Sequence, residues 1–414
     1  MTLHRLAAAC ALALVASFFV LPAAHAGTRP FPQHVSYTAG AIKPNHVSQA
    51  HMDTAVASQY ATWKATYLRT DGGDGSWIQY NNKDSTVSEA HGYGMVLAAY
   101  MDDHALFDDM LRYFRNHPDV NAANLMAWKQ TLKNGEMVDV EGADSATDGD
   151  MDIAYSLLLA HVQWGAIDAQ GQAHDYLADA RSVMHDILAH DVNPKLHNTT
   201  MGSWASGKDL KYTRPSDFMA SHVLAYARWD PDNTAAWKKV HATMAKAVND
   251  QFTHGSEASG IVPDFMVYDG GLWKPTPGKY LETRHDGDFY WNACRTPWRL
   301  AISWLVDGNT GLLASQQQTA SWIRSATGGV PTNIKAGYYV ANGPNGQTFR
   351  HYDDLPFTAP MAVNAMLGGA AAQTWLNSLW TSIDGGDYGP VWDYYGDAIR
   401  LQVMLTVSGN WWRP

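Results

Sequence analysis

The run from Ala146 to Trp164, Ala-Thr-Asp-Gly-Asp-Met-Asp-Ile-Ala-Tyr-Ser-Leu-Leu-Leu-Ala-His-Val-Gln-Trp, constrains this chain more than any other stretch. Three carboxylates, Asp148, Asp150 and Asp152, open a segment that is apolar almost all the way round. A surface helix keeps a wide polar face; this one has none, so it is expected to be buried. Thr147 and Asp148 suit a helix start, and acids in the first turn sit well at the positive end of the dipole. Plain capping is the simplest account of such a start. An EF-hand is disfavoured, because its loop needs Gly at the sixth position and Glu at the twelfth. Those places hold Ile153 and Leu159. A buried helix with an acidic mouth would instead offer fixed carboxylates to a ligand.

The first 26 residues read as a secretory leader. Arg5 precedes an apolar run through Leu21, and Ala24-His25-Ala26 fits small-x-small cleavage before Gly27. A secreted protein, extracellular or periplasmic, is therefore expected, with residues 27–414 forming one catalytic domain. No later stretch reaches membrane-spanning length. Without the leader, Cys294 is the one cysteine left, so the fold must be held by its core rather than by an internal disulfide. The formal net charge is −11, and one more negative once Arg5 is gone. Nucleic acid is an unsuitable partner for such a balance, whereas a cationic polymer would be attracted. Many of the 17 Trp and 20 Tyr can be core residues, but such rings are also what flat sugar faces stack against.

No Pro-, Ser- or Gly-rich tract divides the chain. Periodicity predicts helices near 48–68, 88–102, 104–117, 147–165, 171–191, 214–228, 232–252, 287–306, 310–326, 356–369, 370–383 and 388–408. Those beginning near Glu89, Asp148 and Asp288 are apolar, as inner helices should be; 232–252 carries lysines, as an outer one should. Paired inner and outer helices closing into an all-α toroid are the expected architecture. The connections 192–213, 253–286 and 327–355 are long enough to wall a cleft.

Two further segments hold candidate chemistry. Ser88-Glu89-Ala90-His91-Gly92-Tyr93-Gly94-Met95 places two glycines inside a helix, where each costs about 1 kcal/mol against Ala, so something must approach that backbone closely. Tyr280 to Arg299 mixes charge and aromatics; Arg295 and Arg299 share a helical face and, if buried, need carboxylate partners such as Asp148 or Asp150. Glu282 reads equally well as an ordinary surface acid. Zinc, P-loop, dinucleotide and serine-nucleophile motifs are missing from the sequence. An acid and a base flanking a glycosidic bond are what a carboxylate- and aromatic-rich cleft can supply. No metal or cofactor is expected.

Taken together, the three segments resemble glycoside hydrolase family 8. The resemblance rests on Ala146 to Trp164, on Ser88-Glu89 with Gly92-Tyr93-Gly94-Met95, and on Ala293-x-Arg295-x-Pro297-Trp298-Arg299. It implies an (α/α)6 barrel and an inverting endo-hydrolase of β-1,4-linked polysaccharides. Glu89 matches the general acid and Asp148 the carboxylate holding the sugar at the cleavage subsite. Asp150, Asn292, Arg295, Trp128 and Tyr93 are expected to contact substrate. Much of the family has a basic Asp where this chain has Asn292, and an amide cannot take a proton at neutral pH. The branch with Asn there uses a Glu from an upstream loop, and Glu282 is placed like it. That branch implies chitosan first as substrate, helped by the acidic balance, with mixed-linkage β-glucan or cellulose close behind. Asp286 and Asp288 are weaker candidates for the base. A sugar-binding protein without turnover and a polysaccharide lyase are the rival readings, and a monomer is expected.

Overall fold

The computed structural model describes residues 26–81, 84–385 and 393–414. The leader, apart from Ala26, and the first residues of the last expected helix lie outside that set. Among the described residues the chain forms twelve α-helices: α1 (Gln49–Tyr67), α2 (Ser88–Tyr100), α3 (His104–Asn116), α4 (Thr147–Trp164), α5 (Tyr176–Asp186), α6 (Ala220–Trp229), α7 (Thr234–His254), α8 (Thr296–Asp307), α9 (Leu313–Ala326), α10 (Leu355–Ala365), α11 (Gln373–Gly385) and α12 (Tyr394–Val407). The even-numbered helices form a ring. Each packs on the next, from α2 to α4, α6, α8, α10 and α12, and α12 returns to α2. The odd-numbered helices lie outside, each against an inner neighbour. This is the (α/α)6 barrel expected from the sequence.

Apolar distribution decides which helix goes where. Ala146–Trp164 has no polar face to give to water, and α4 is buried along almost its whole length. By contrast, α3 buries Leu106, Phe107, Met110, Leu111 and Phe114 and turns its charges outward. Close packing explains the helical glycines: a Cβ on Gly92 would stand 2.8 Å from Asp152 Cβ of α4, and one on Gly94 would stand 2.5 Å from Met110 Cε of α3. Their neighbours are the protein's own atoms, side chains and, at Gly92, the Gly149 backbone.

Three small antiparallel sheets decorate one end of the ring. The first pairs β1 (Leu68–Arg69) with β2 (Trp77–Ile78). The second, β3 (Ser85–Val87), β4 (Lys129–Lys133) and β5 (Glu136–Asp139), runs straight from β3 into α2 and so fixes where Glu89 enters the barrel. Its hairpin closes through Asn134-Gly135, both with positive φ, as a two-residue turn of this hand requires. The third is β6 (Tyr212–Thr213), β7 (Met266–Asp269) and β8 (Leu272–Pro275).

At the opposite end an arm of residues 27–48 crosses the floor and satisfies helix-terminal carbonyls. Gln33 Nε2 donates to Tyr100 O (2.9 Å), Thr38 N to Leu305 O (2.8 Å), Ile42 N to Met366 O (3.1 Å) and Tyr37 Oη to Thr406 O (2.8 Å). The last carbonyls of a helix have no partner within it, so the arm caps the bundle.

One expected helix is corrected. The segment 287–306 is helical only from Thr296, after a single 3₁₀ turn at Ala293–Arg295. Pro297 sits in the first turn, where its missing N–H is not needed. Similarly, α6 starts at Ala220 because Pro215–Asp217 forms a separate 3₁₀ turn.

Candidate active site

The N-terminal ends of the inner helices converge at the end opposite the arm, and nearly every charged group of the site stands on or just before one of them. Glu89 opens α2 and Asp148 opens α4; Arg214 and Asp217 precede α6, Arg295 precedes α8 and Tyr394 begins α12. Arg295 is the hub. It is 1% exposed and its Nη1 donates to Glu89 Oε2 (2.6 Å), Asp148 Oδ2 (3.1 Å) and Tyr93 Oη (3.3 Å). Its Nη2 donates to Ser216 Oγ (2.9 Å) and Asn292 Oδ1 (3.2 Å).

Environments set the two central acids apart. Burial pushes the Glu89 carboxyl up, with Asp148 adding to it, against the pull of Arg295 and a hydrogen bond from Tyr394 Oη (3.0 Å). Asp148 is also penalised by burial, but Arg214 (2.9 Å) and Arg295 outweigh that and hold it down to about 2. One carboxyl is biased toward its protonated form and its neighbour is fixed as an anion, the division that acid catalysis beside an anionic sugar ligand requires.

Glu282 lies on the loop after β8. Its Oε2 accepts from Asn292 Nδ2 (2.9 Å). Crowding by protein raises its pKa, while Arg214 and the amide of Asn292 oppose the rise. Three buried aspartates organise this loop by collecting backbone N–H groups. Asp286 accepts from Tyr280, Leu281, Glu282 and Thr283 at 2.6–3.0 Å. Asp264 accepts from Tyr290, Asn292 and Ala293, and Asp288 from Val340, Ala341 and Asn342. Asp286 and Asp288, the weaker candidates for the base, are fully buried and committed to these donors.

Several expected substrate contacts are corrected. Asp150 does not face the cleft: it is 0% exposed and its Oδ1 accepts from Met126 N (2.9 Å). Residues two apart on a helix point to opposite sides, whereas those four apart share a face. Asp148 and Asp152 are therefore the pair facing the lumen, and they meet Arg295 and Arg299, also four apart. Arg299 holds Asp152 with Nη1 at 2.9 Å and Nη2 at 2.6 Å, and His222 adds Nε2 at 3.0 Å. Tyr93 and Arg295 are buried beneath the acids and position them rather than line the cleft. Asn292, 7% exposed, joins Arg295 to Glu282. Trp128 is half-buried beside the start of α2, its carbonyl accepting from Ser88 N (2.8 Å) and its indole N–H donating to Glu141 O (3.1 Å).

A family model for glycosyl hydrolases family 8 matches residues 30–408. The chain belongs to that family. It is a glycoside hydrolase, and the expectation drawn from the three segments holds. It is 40% identical to a beta-glucanase of Niallia circulans over 405 residues, covering 96% of this chain and 95% of the relative. An endoglucanase of Bacillus sp. (strain KSM-330) is 31% identical over 405 residues, covering 93% and 82%. The apo structure of a beta-1,3-1,4-glucanase from Paenibacillus sp. X4 superposes with a TM-score of 0.87 at 39% identity, covering 93% of this chain and 99% of that one.

Arg214, Ser216 and Tyr394 escaped the sequence reading. In this chain the charged groups gather at the mouths of the inner helices, so the residues just before each inner helix carry a signal once the ring is known. Arg214-Pro215-Ser216-Asp217 is such a segment: Arg214 Nε donates to both oxygens of Asp217 (2.9 and 3.0 Å) and its Nη2 reaches Asp148.

Proposed function

We propose that the enzyme is an inverting endo-β-glucanase that cleaves internal β-1,4 bonds of a neutral β-glucan, with mixed-linkage β-1,3-1,4-glucan as first substrate and cellulose-type chains second. Glu89 is the general acid, Glu282 the general base and Asp148 the carboxylate that holds the sugar. The observation that carries this reading is a continuous chain of hydrogen bonds: Glu89 to Arg295, Arg295 to Asn292, Asn292 to Glu282. An amide is the group for the middle of that chain. Its oxygen accepts from the guanidinium while its nitrogen donates to the carboxylate, and a second carboxylate there would repel Glu282. This supports the assignment to the branch with Asn before the Ala-x-Arg segment.

Inversion needs a water between the base and the anomeric carbon, with the two carboxyls about 6.5–9.5 Å apart. Glu89 protonates the departing oxygen while Glu282 takes a proton from the water on the opposite face.

Chitosan stood first on sequence alone, and the glucanase names of the relatives support the glucan reading instead. So does the charge of the site. Asp148 is shared by two guanidiniums and Asp217 is paired with Arg214, which leaves little negative surplus for a chain of ammonium groups. Reducing-end release from mixed-linkage glucan, carboxymethylcellulose and chitosan separates the readings: glucan is expected to be cut fastest, and a preference for chitosan overturns the substrate assignment. Glu89→Gln is expected to lose ~10²–10⁴-fold in kcat with the fold intact. Glu282→Ala is expected to abolish hydrolysis while oligosaccharide binding persists, and azide, entering on the water's face as Glu89 protonates the departing oxygen, to restore cleavage as the α-glycosyl azide. Proton NMR of early wild-type product should show the α-anomer first; β-anomer first would mean retention.

A further inference from the structure

We infer that Gly27 is the N-terminus of the mature enzyme, and that its α-ammonium, released when the leader is cut, forms an ion pair with Asp102 that fastens the arm to the barrel floor. The two observations are independent. Small-x-small residues end at Ala26, immediately before Gly27. In the folded chain Gly27 N stands 3.0 Å from Oδ1 and 3.0 Å from Oδ2 of Asp102. The N–H at this position already points between the two carboxylate oxygens, and an ammonium there, with three hydrogens and a full charge, would bind both of them more strongly than a peptide N–H does.

The surroundings are built for that group. Asp102 follows the C-terminus of α2 in a left-handed conformation, φ 57°, which turns its carboxylate back under the helix. Trp164 Nε1 donates to Asp102 Oδ1 (2.8 Å) and fixes it from the C-terminus of α4. Gln163 then locks the next residues: Thr28 N donates to Gln163 O (2.8 Å), Arg29 N to Gln163 Oε1 (2.9 Å), and Gln163 Nε2 to Arg29 O (2.8 Å). Two helix C-termini, the negative ends of their dipoles, thus flank the nitrogen. A side chain at position 27 would be crowded, since a Cβ would stand 2.4 Å from Asp102 Oδ1 and 2.4 Å from Gln163 Oε1. The other charged groups nearby are engaged: Asp103 holds Lys64, Arg29 lies over the Trp412 ring, and His104 stacks on Trp164 and faces Asp108.

The step that creates the pair is hydrolysis by a leader peptidase. The Ala26–Gly27 C–N bond breaks, one water supplies the new oxygen of the Ala26 carboxylate, and its two hydrogens convert the Gly27 amide nitrogen to an ammonium. A carboxylate partner raises an amine's pKa. The stabilisation is therefore complete below the unfolded-state value, about 8, and disappears as pH rises through the higher folded value.

The test uses the exported enzyme and two purified forms. N-terminal sequencing of protein exported by a bacterial host is expected to begin at Gly27; any other first residue overturns the proposal. A form starting at Gly27 and a form retaining Ala26 differ in whether the nitrogen is an ammonium. At pH 6 the first is expected to melt roughly 1–2 °C higher, with the gap closing above about pH 9 and absent in the Asp102→Asn background. Equal melting at pH 6, or a gap that survives Asp102→Asn, overturns it. The Ala26 form keeps Asp102 and Trp164 intact, so the comparison holds even if Asp102→Asn folds poorly. Glucan turnover, at the other end of the barrel, is expected to be equal in both forms, so failure here and failure of the glucanase reading are separate outcomes.

Discussion

Asn292 shows how one atom type decides a mechanism. Its amide lets Arg295 and Glu282 meet on a single side chain. Asn292→Asp would set a carboxylate against Glu282, raise the pKa of one of the pair and weaken the hold on the base. The expected result is a lower kcat/KM and an acidic limb of the pH profile displaced upward, measured on soluble mixed-linkage glucan; an unchanged limb would count against the Asn292–Glu282 link. A second residue-level consequence concerns stability. Burial, with Asp119 and Asp217 adding, pushes Asp191 up to about 8 despite hydrogen bonds from Ser145 and Asp150. A carboxyl raised in the folded state stabilises fully below its unfolded value, about 4, and that contribution fades as pH climbs and is gone above about 8. Melting temperature is expected to fall between about pH 4 and pH 8 on this group's account, and Asp191→Asn to flatten that slope. At this scale the sequence was half legible. Glu89, Asp148 and Glu282 were singled out by the resemblance of their segments to the family, and the structure sets Glu89 and Asp148 on Arg295 and Glu282 on Asn292. Asp150 was misplaced because two-residue spacing was read as adjacency, and Arg214 and Tyr394 were missed because their role exists only once separate helix mouths meet.

Helices were legible from their apolar pattern, and most boundaries fell within a few residues. The failure at 287–306 is instructive: charged and aromatic residues before Pro297 looked like helix, yet Asp264 draws that backbone into loop by accepting the N–H groups of Tyr290, Asn292 and Ala293. Such tertiary bonds have no periodic trace. Pairing between α2 and α4 is the contact on which the site's geometry rests. A Cβ at Gly149 would stand 2.4 Å from Ser88 Oγ and 2.6 Å from the Ser88 carbonyl carbon, and backbone cannot swing aside. Gly149→Ala should therefore force the two helices apart, costing about 1–3 kcal/mol and shifting Glu89 relative to Asp148. Thermal melting and glucan kcat should fall together. Retention of full activity at a lowered melting temperature would show that the mouth tolerates the shift.

The whole molecule is a ring whose first and last inner helices touch, and whose N-terminal arm is bonded to carbonyls of α8, α10 and α12. Stopping the chain at residue 385, before α12, would bare the apolar flanks of α2 and α10 at once. Such a fragment is expected to bind a hydrophobic dye and to be digested rapidly by protease, while the full chain resists both; a compact, resistant fragment would contradict the closed-ring account. The arm makes the same point in time rather than space. Its first residues find Asp102 and Gln163 early in the chain, but its bonds to Leu305, Met366 and Thr406 wait for the last third to exist, so the floor closes last.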